Sequence, residues 1–401
     1  MGKGDRRRPG RGMTVNKETL KAGLRLFCAQ CAMTALKVFW ILPMDRKKVL
    51  FSSFDGRQYS DSPKYVYLKY LEKEPDRKAK LLWAANGKET LEKMRRQGLN
   101  AVNTRSVRFY AVFATCGKVV VNQHIRTWLP VRKGQTVLNI WHGSGPGKTV
   151  ALHDRGASLY EKKHYALQNR KYAAFLTGCA FNTQTVCRGA FGYEGPVLEF
   201  GLPRNSLLLG PHREAEARVR KHFGLADGTG IVLYAPTFRE GGEPVEKPDP
   251  AAVVRALEAR FLKPFTFMYR AHHASAEKSG PGTPAACLDA CDYPDMQELL
   301  CAADVLITDY SSSMTDMALM GKPVFLFVPD KDLYMKKRGL YWPVEQLPFP
   351  YALDRAGLER AVLDFDAEAY GERLRAYFDR IGNRESADSA ERTRDWLEKT
   401  V

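Results

Sequence analysis

Cysteine is scarce in this sequence, and no typical export leader is present. The 401 residues include 8 cysteines, and the N-terminus lacks an apolar segment that ends in small residues. The sequence therefore does not predict a secreted disulfide framework, and we expect reduced thiols in the cytosol. Cys28 and Cys31 form a C-x-x-C pair without a second pair, and Cys287 and Cys291 stand apart from any histidine cluster. Because structural zinc sites need four ligands in spaced pairs, we expect no metal at these cysteines.

Long uncharged apolar runs are also missing. The apolar stretch at residues 24–42 is interrupted by Arg25 and Lys37, and it falls short of the roughly 20 uncharged residues that span a bilayer. An amphipathic helix in a membrane interface would bury Phe39 and Trp40 and hold its cations near the headgroups. The alternative is a helix that packs on its own domain, and the pattern leaves both interpretations open.

Positive charge is concentrated at one end of the chain. The sequence has 62 Lys and Arg against 45 Asp and Glu, a net charge of +17. Residues 1–133 hold 29 basic and 10 acidic side chains, whereas residues 134–401 hold 33 and 35. The N-terminal third therefore predicts an anionic partner: nucleic acid, an anionic membrane or an anionic substrate. Because aromatic stacking motifs and recognisable nucleic-acid folds are absent, we expect no nucleic acid.

Two series of alternating strand-like and helix-like segments make up the rest of the chain. Runs such as VLFSSF and KVVVNQ alternate with helical patterns, and the series restarts after residues 201–230, which are rich in Pro, Gly and charge. This pattern is typical of parallel βαβ units. We predict an α/β protein with two Rossmann-type, doubly wound domains that face a cleft. The predicted divisions are a basic lead-in with an amphipathic helix (1–46), two α/β domains (47–203 and 204–380) and a C-terminal helix that braces the first domain (381–401).

A run of hydroxyl side chains follows one predicted strand of the second domain. In DVLITDYSSSMTDMALMGKPVFLF, residues 304–327, the strand ends at Thr308 and Asp309 and a helix begins after three serines. The serines are Ser311, Ser312 and Ser313. Hydroxyls and free N–H groups at a helix start can hold a phosphate. The alternative is a simple helix cap with Asp316 in the capping-box position, but one serine suffices for a cap, so the run favours a phosphate site.

A histidine ends a strand of the first domain. TVLNIWHGSGPGKTV, residues 136–150, places His142 beside flexible glycines, where it could act as a general base. Residues 142–149 nearly match the P-loop pattern, with Gly147, Lys148 and Thr149, but His142 stands where the first glycine belongs. This mismatch disfavours a nucleoside triphosphatase. A purely structural histidine remains the alternative.

Three further strand ends carry cations. Thr237 and Arg239 follow one strand in YAPTFRE, Arg270 and His272 follow another in YRAHH, and Arg204 follows a third in FGLPRN. Arginine at such positions suits bidentate capture of a phosphate. Each could singly be a surface residue, but together with the serines they predict one anionic ligand, a diphosphate.

The order of these segments resembles the CDP-glycerol glycerophosphotransferase family, the teichoic-acid primases and polymerases of bacterial cell-wall assembly. The resemblance runs from about residue 47 to 345 and rests on W-H-G, P-T-F-R and L-I-T-D-Y-S-S in that order. It implies a GT-B-like fold with the active site between two Rossmann-type domains. It also implies a basic N-terminal surface that attaches peripherally to the cytoplasmic face of the bacterial cell membrane.

The same resemblance implies roles for single residues. By this resemblance, His142 looks like the family's catalytic base on the acceptor side. His272 looks like a second catalytic group, which also holds the donor. The expected pyrophosphate-binding residues are Arg239, Thr308, Asp309, Ser311 and Ser312, with Asp309 orienting their loop. Further expected donor or acceptor contacts are Gly143, Lys148, Arg204, Thr237 and Arg270. The implied reaction is attack of a polyol hydroxyl on the β-phosphate of a CDP-polyol, with release of CMP.

The identity of the polyol stays open at this stage. The W-H-G motif continues with Ser144, Gly145 and Pro146, which departs from the family's usual T-P-L-K-like continuation and puts the acceptor in doubt. Glycerol phosphate is the default donor group, with ribitol phosphate or a nucleotide sugar on the same fold as alternatives. The expected partners are a CDP-polyol, a lipid-linked anionic acceptor and an anionic membrane surface. Because no D-x-D-like dyad is placed to bridge a diphosphate, we expect no tightly bound metal or other cofactor, and magnesium dependence stays open.

Overall fold

Two parallel β-sheets organise the protein, whose computed structural model describes residues 17–154, 158–237, 239, 245–271 and 287–400. The strands of the first sheet are β1 (Asp45–Ser52), β2 (Leu81–Ala85), β3 (Ala101–Asn103), β4 (Cys116–Val121), β5 (Thr136–Ile140), β6 (Ala174–Leu176) and β7 (Val197–Leu198). Those of the second are β8 (Gly230–Tyr234), β9 (Phe265–Tyr269), β10 (Cys287–Asp289), β11 (Val305–Thr308), β12 (Val324–Phe327) and β13 (Tyr351–Ala352). Their spatial orders are β3-β2-β1-β4-β5-β6-β7 and β10-β9-β8-β11-β12-β13.

Helices connect these strands and cover both faces of each sheet. Before and within the first sheet they are α1 (Lys17–Leu36), α2 (Asp61–Lys73), α3 (Lys88–Arg96), α4 (Val107–Thr115) and α5 (Leu159–Asn169), with a π-helix at Asn182–Ala190. The remainder are α6 (Ser206–Leu209), α7 (Arg213–Phe223), α8 (Pro250–Phe261), α9 (Met296–Ala302), α10 (Ser313–Ala318), α11 (Lys331–Lys337), α12 (Arg355–Leu363), α13 (Ala367–Ile381) and α14 (Ser389–Lys399). Short 3₁₀ turns include Lys37–Ile41, Phe54–Gly56 and Pro203–Asn205.

The sequence of the central strands explains why they lie inside. β2 (LLWAA), β4 (CGKVVV), β8 (GIVLY) and β11 (VLIT) are buried along their whole length, as expected of parallel strands covered by helices on both faces. In each sheet the strand order reverses direction once, between β1 and β4 and between β8 and β11. Ligands of doubly wound sheets bind beyond the carboxyl ends of the strands at such points. The predicted fold of two Rossmann-type sheets is confirmed.

The C-terminal segment returns to the first domain. After α13, which packs on the second core, Arg384 N donates to the Gly178 carbonyl at 2.9 Å and α14 lies against α2. Leu397 is fully buried in the core under the first sheet. Glu398 accepts from Tyr70 and pairs with cations of the first domain, which lower the pKa of its carboxyl to about 2 although burial would raise it. The final helix therefore belongs to the first core.

The N-terminal helix projects its apolar side chains outward. None of the window Gly23–Ile41 is buried, and Leu24 and Phe27 are each 62% exposed. Part of this segment nevertheless contacts the first domain: α1 packs against α5, and the ring of Phe39 stacks on that of Tyr110 at 6.3 Å. Both interpretations of the sequence, an interfacial helix and a helix that packs on its own domain, therefore stay open. By length and composition alone, Gly23–Ile41 is apolar enough to cross a membrane, with mean hydropathy 1.4.

The packing of α14 predicts a stability effect. Leu397→Ala removes a fully buried side chain that joins α14 to the first core, and we expect it to lower the free energy of unfolding by about 2–5 kcal/mol. Urea unfolding followed by tryptophan fluorescence measures this change. The matched control is Leu363→Ala, at a 48% exposed leucine, with an expected change below about 1 kcal/mol. Equal effects of the two substitutions would contradict a core role for α14.

Candidate active site

A cleft of about 430 Å³ lies between the carboxyl ends of the two sheets. This volume falls in the range of about 300–1,000 Å³ that is typical of small-molecule sites. The first domain contributes His142 after β5 and the loop after β1, and the second contributes Arg270 after β9 and the serines after β11. The cleft therefore lies at the position that the two switch points predict.

The orientation of His142 suits it to accept a proton. Its Nδ1 lies 2.8 Å from the backbone carbonyl of Asn122 at the end of β4. Because a carbonyl can only accept, Nδ1 carries the proton and Nε2 keeps its lone pair. Burial lowers the pKa of His142, and the nearby cations Arg204 and Lys148 lower it further. The ring is therefore neutral at pH 7 and can act as a general base.

The side chain of Asn122 connects this histidine to the loop after β1. Its Oδ1 accepts from the Phe54 N–H at 2.8 Å, and its Nδ2 donates to Asp61 at 2.9 Å. Burial would raise the pKa of Asp61, but Arg204, with Asn122 and a backbone N–H, holds it below its usual value. The sequence analysis missed Asn122 and Asp61, because neither belongs to a motif that their types or spacing reveal.

Arg204 joins the two domains. Its Nη1 donates to Asp61 at 3.1 Å and to the His142 carbonyl at 2.8 Å, on the first domain. Its Nε and Nη2 donate to Asp316 of α10 at 2.8 and 3.2 Å, on the second. Gln297 and Asn205 also donate to Asp316. Arg204 lines the cleft, and all three of its nitrogens bind protein groups, so it positions the site. Its expected contact with a ligand stays a prediction.

Arg239 is likewise neutralised by the protein. Its guanidinium binds Asp330 at 2.7 Å and Asp309 at 2.8 Å. It lies about 5 Å from the ring centroids of both Tyr310 and Tyr334, which stack on each other at 3.7 Å. Arg239 is not among the described residues that line the cleft, and its expected contact with a pyrophosphate stays a prediction.

Thr237, Thr308 and Asp309 support the same wall. Thr237 Oγ1 donates to Asp309 at 2.6 Å, and the backbone N–H of Thr237 donates to the same carboxylate at 2.9 Å. Thr308 is fully buried and donates to the Ala235 carbonyl at 2.7 Å. Asp309 thus holds the loops after β8 and β11 together, which agrees with its expected orienting role, but these three residues do not line the cleft.

Arg270 and the serines face the cleft. Ser311, Ser312 and Ser313 line it at the start of α10, and Ser313 donates to Ser311 at 3.0 Å. Arg270 donates to backbone carbonyls through Nη1, and within the described parts of the chain no carboxylate pairs with it. Burial lowers the pKa of Arg270, and the charge of Asp295 offsets this only in part. A half-buried cation that pairs with no described carboxylate is therefore available to an anionic ligand at this point.

The glycine-rich loop after β5 does not form a phosphate cradle. Thr149 N donates to the Gly339 carbonyl at 3.2 Å, and Tyr341 N donates to the Gly147 carbonyl at 2.9 Å. The loop therefore pairs with a segment of the second domain, and a 3₁₀ turn rather than a long helix follows it. A P-loop needs a helix start at this point, so this geometry argues against the nucleoside triphosphatase alternative.

The remaining expected contacts lie at the border of the site. The Gly143 carbonyl accepts from Asn182 at 3.1 Å, and Lys148 forms a β-bridge with Leu340. Neither is among the described residues that line the cleft. His272 lies outside the described residues, two positions after Arg270, so its expected role stays a prediction. Within the described residues, no group of three or more His, Cys, Asp or Glu side chains could hold a metal ion.

Comparisons with known proteins, by sequence and by fold, find similarity to the same group of proteins. The family profile described as CDP-glycerol:poly(glycerophosphate) glycerophosphotransferase matches residues 34–399. A teichoic acid poly(glycerol phosphate) polymerase of Bacillus spizizenii is 25% identical over 370 residues, 89% of this chain and 93% of the relative. A polymerase of the same description from Bacillus subtilis is 28% identical over 317 residues, 76% of this chain but 42% of the relative.

Another relative is named for ribitol phosphate instead of glycerol phosphate. A teichoic acid ribitol-phosphate primase of Bacillus spizizenii is 25% identical over 377 residues, 89% of this chain and 92% of the relative. Among solved structures, the wall teichoic acid polymerase TagF, in a variant soaked with CDPG, superposes with a TM-score of 0.78. That structure is 24% identical, and the match covers 97% of this chain and 98% of the other. It shares the fold.

The ion pairs of Arg204 predict a large effect of its removal. Arg204→Met leaves Asp61 and Asp316 buried without their cation, and we expect a loss of about 3–5 kcal/mol in the free energy of unfolding. Adding Asp61→Asn and Asp316→Asn to this variant removes the uncompensated charges and should restore part of the lost free energy of unfolding. Denaturant unfolding measures both variants. The control is Arg218→Met, at a half-exposed arginine paired with Glu298, with an expected loss below about 1 kcal/mol. An Arg204 variant as stable as this control would refute the interpretation.

Proposed function

The chain belongs to the CDP-glycerol:poly(glycerophosphate) glycerophosphotransferase family, and we propose that its interdomain cleft is where glycerol phosphate moves from CDP-glycerol to an acceptor hydroxyl. The chain is a transferase of teichoic acid synthesis. The observation that supports this use of the cleft is the pairing of a neutral histidine on one wall with an unneutralised arginine and three serines on the other.

The two walls supply different parts of the reaction. The acceptor hydroxyl gives its proton to Nε2 of His142 as its oxygen attacks the β-phosphorus of CDP-glycerol. The bond from that phosphorus to the bridging oxygen breaks, and CMP leaves with the oxygen. Arg270 and the hydroxyls of Ser311 and Ser312 stabilise the charge on the phosphoryl oxygens. His272 follows Arg270 in the chain and is expected to contact the leaving side.

The structure offers a reason why these groups act without rearranging. The His142 tautomer is set by the Asn122 carbonyl, and the serines begin the helix whose Asp316 is bound to Arg204. Both halves of the reacting pair are therefore oriented by buried contacts before substrates bind. This scheme uses no tightly bound metal, and the absence of such a metal stays a prediction. Activity that is lost in chelator and restored by magnesium would overturn it.

Attachment to an anionic membrane surface is the second part of the proposal. α1 and the turn after it expose Leu24, Phe27, Val38 and Ile41, on the domain that carries the excess of positive charge. Apolar side chains beside cations are the composition of an interfacial helix. Each nearby Lys or Arg adds about 1 kcal/mol of attraction to an anionic leaflet. We therefore propose that the enzyme attaches to the cytoplasmic face of the bacterial cell membrane, where it would meet a lipid-linked acceptor.

The donor is tested by release of CMP. Purified protein is incubated with CDP-glycerol, CDP-ribitol, a UDP-sugar or a GDP-sugar, each with a lipid-linked glycerol phosphate acceptor. We expect CDP-glycerol to be used best, and His142→Ala to lower the rate by at least about 100-fold, because a general base contributes about 10²–10⁴-fold. His212→Ala, outside the cleft, is the matched control. Turnover of a nucleotide sugar alone would refute the proposal that the donor is a CDP-polyol. A preference for CDP-ribitol would show that the transferred group is ribitol phosphate instead of glycerol phosphate.

The pH profile gives a separate readout of His142. Because burial lowers its pKa, the neutral base persists below the ordinary histidine pKa of about 6.5. The acid limb of kcat/KM should therefore have its midpoint below pH 6.5 or so, and activity should fall only at lower pH. A midpoint above the ordinary value, or an unchanged rate in the His142 variant, contradicts the assignment of the base.

Membrane attachment predicts a selective loss of vesicle binding. Leu24→Glu with Phe27→Glu should weaken binding to anionic phosphatidylglycerol vesicles by about tenfold or more, since two apolar side chains no longer insert. Vesicle sedimentation measures this loss, and binding of cytidine nucleotide should not change. The control is Leu262→Glu, at an 88% exposed leucine of the second domain. Equal vesicle binding by both variants would exclude α1 as the attachment site.

A further inference from the structure

The loop between β1 and α2 concentrates backbone strain at the cleft. Among the described residues, five non-glycine residues have positive φ, and three of them are Phe54 (φ 49), Asp55 (φ 56) and Asp61 (φ 59). Side chains in the left-handed region are costly and persist where the surrounding contacts enforce them, often at functional sites. The strain therefore marks this loop, to which the sequence patterns gave no chemical role, as a part of the site.

Contacts on several sides hold the loop in place. Ser53 Oγ donates to the Ser60 carbonyl at 2.6 Å, which closes the loop on itself. Asn86 N donates to the Gly56 carbonyl at 2.7 Å, and a Cβ on Gly56 would lie 3.0 Å from the Ala84 carbonyl oxygen. The loop is thus seated on the ends of β1 and β2 and presents its outer residues to the cleft in a defined position.

The outer residues of this loop and one face of α3 form a basic wall. Arg57 of the loop lines the cleft, as do Lys93 of α3 and Gln97, which follows the last residue of that helix. Both Arg57 and Lys93 are exposed, and neither forms a salt bridge within the described parts of the chain. Of the carboxylates that line the cleft, Asp61 and Asp316 are bound to Arg204, and no described salt bridge joins Asp292 to Arg57 or Lys93. The two cations are therefore available to a ligand.

The position of this wall indicates which substrate it meets. The donor phosphates are assigned to Arg270 and the serines of the second domain, whereas Arg57 and Lys93 lie on the first domain with His142. The family description names poly(glycerophosphate), and in such a polymer the terminal hydroxyl that attacks the donor is followed by a phosphodiester. We propose that Arg57 and Lys93 bind the acceptor phosphodiester nearest the attacking hydroxyl, and so select an anionic acceptor and position its end beside His142.

This inference rests on the proposed function, but direct binding tests it without turnover. The probe is a fluorescein-labelled glycerol phosphate oligomer of defined length, and fluorescence anisotropy reports its Kd. We expect Arg57→Gln and Lys93→Gln each to weaken binding by about three- to tenfold, and the double variant more, because each removes a charge-assisted contact. Arg96→Gln, the same change on α3 at an exposed arginine outside the cleft lining, should leave the Kd unchanged.

Turnover then separates acceptor from donor. In the CMP-release assay, the double variant should raise KM for the acceptor while KM for CDP-glycerol stays within about twofold of the unmodified protein. Oligomer binding that is equal in the double variant and in Arg96→Gln overturns the inference, as does a rise confined to the donor KM. If the unmodified protein binds the oligomer but releases no CMP, the proposed reaction fails while the binding site stands.

Discussion

The arrangement of the site depends on the contacts that the buried guanidinium of Arg204 makes. A charge removed from water must be compensated, and Arg204 finds its partners on both domains: Asp61 and the His142 carbonyl on one, Asp316 on the other. Because breaking any of these contacts leaves a buried charge, the two sheets are held in one register. The histidine of the first domain and the serine-bearing helix start of the second are aligned by the same side chain.

The electrostatics of the cleft follow from which cations the protein has already neutralised. Arg204 and Arg239 each carry two carboxylates, whereas Arg270 makes described contacts only with backbone carbonyls. The first two build the walls, and the third offers its charge to a ligand. On the opposite wall, Arg57 and Lys93 line the cleft and, like Arg270, pair with no described carboxylate. Available cations thus line both walls of the cleft, Arg270 on the second domain and Arg57 and Lys93 on the first domain with His142, which suits a reaction between two phosphate-bearing substrates.

Among the described residues, part of the positive charge of residues 1–133 lies on two surfaces. One is the first-domain wall of the cleft, and the other is the region of α1, where apolar side chains stand exposed beside basic residues. Several basic residues of this third are instead internal: Arg77 and Lys118 pair with Glu398 of the returning α14. A count of charges along the sequence therefore overstates what is available to a membrane or an acceptor.

The sequence by itself determined the two parallel α/β domains, the cleft at the strand ends, and the placing of His142 and the serines there. These follow from local patterns, because burial of a strand, its period and the residues at its end are encoded within about ten positions. Only the tertiary structure decided the roles of the arginines. Arg204 meets partners 143 and 112 residues away, and Arg239 meets Asp330 at a separation of 91. Whether a buried cation is neutralised or available depends on which carboxylates folding brings to it, and Asn122, Asp61, Arg57 and Lys93 gained their places at the site in the same way.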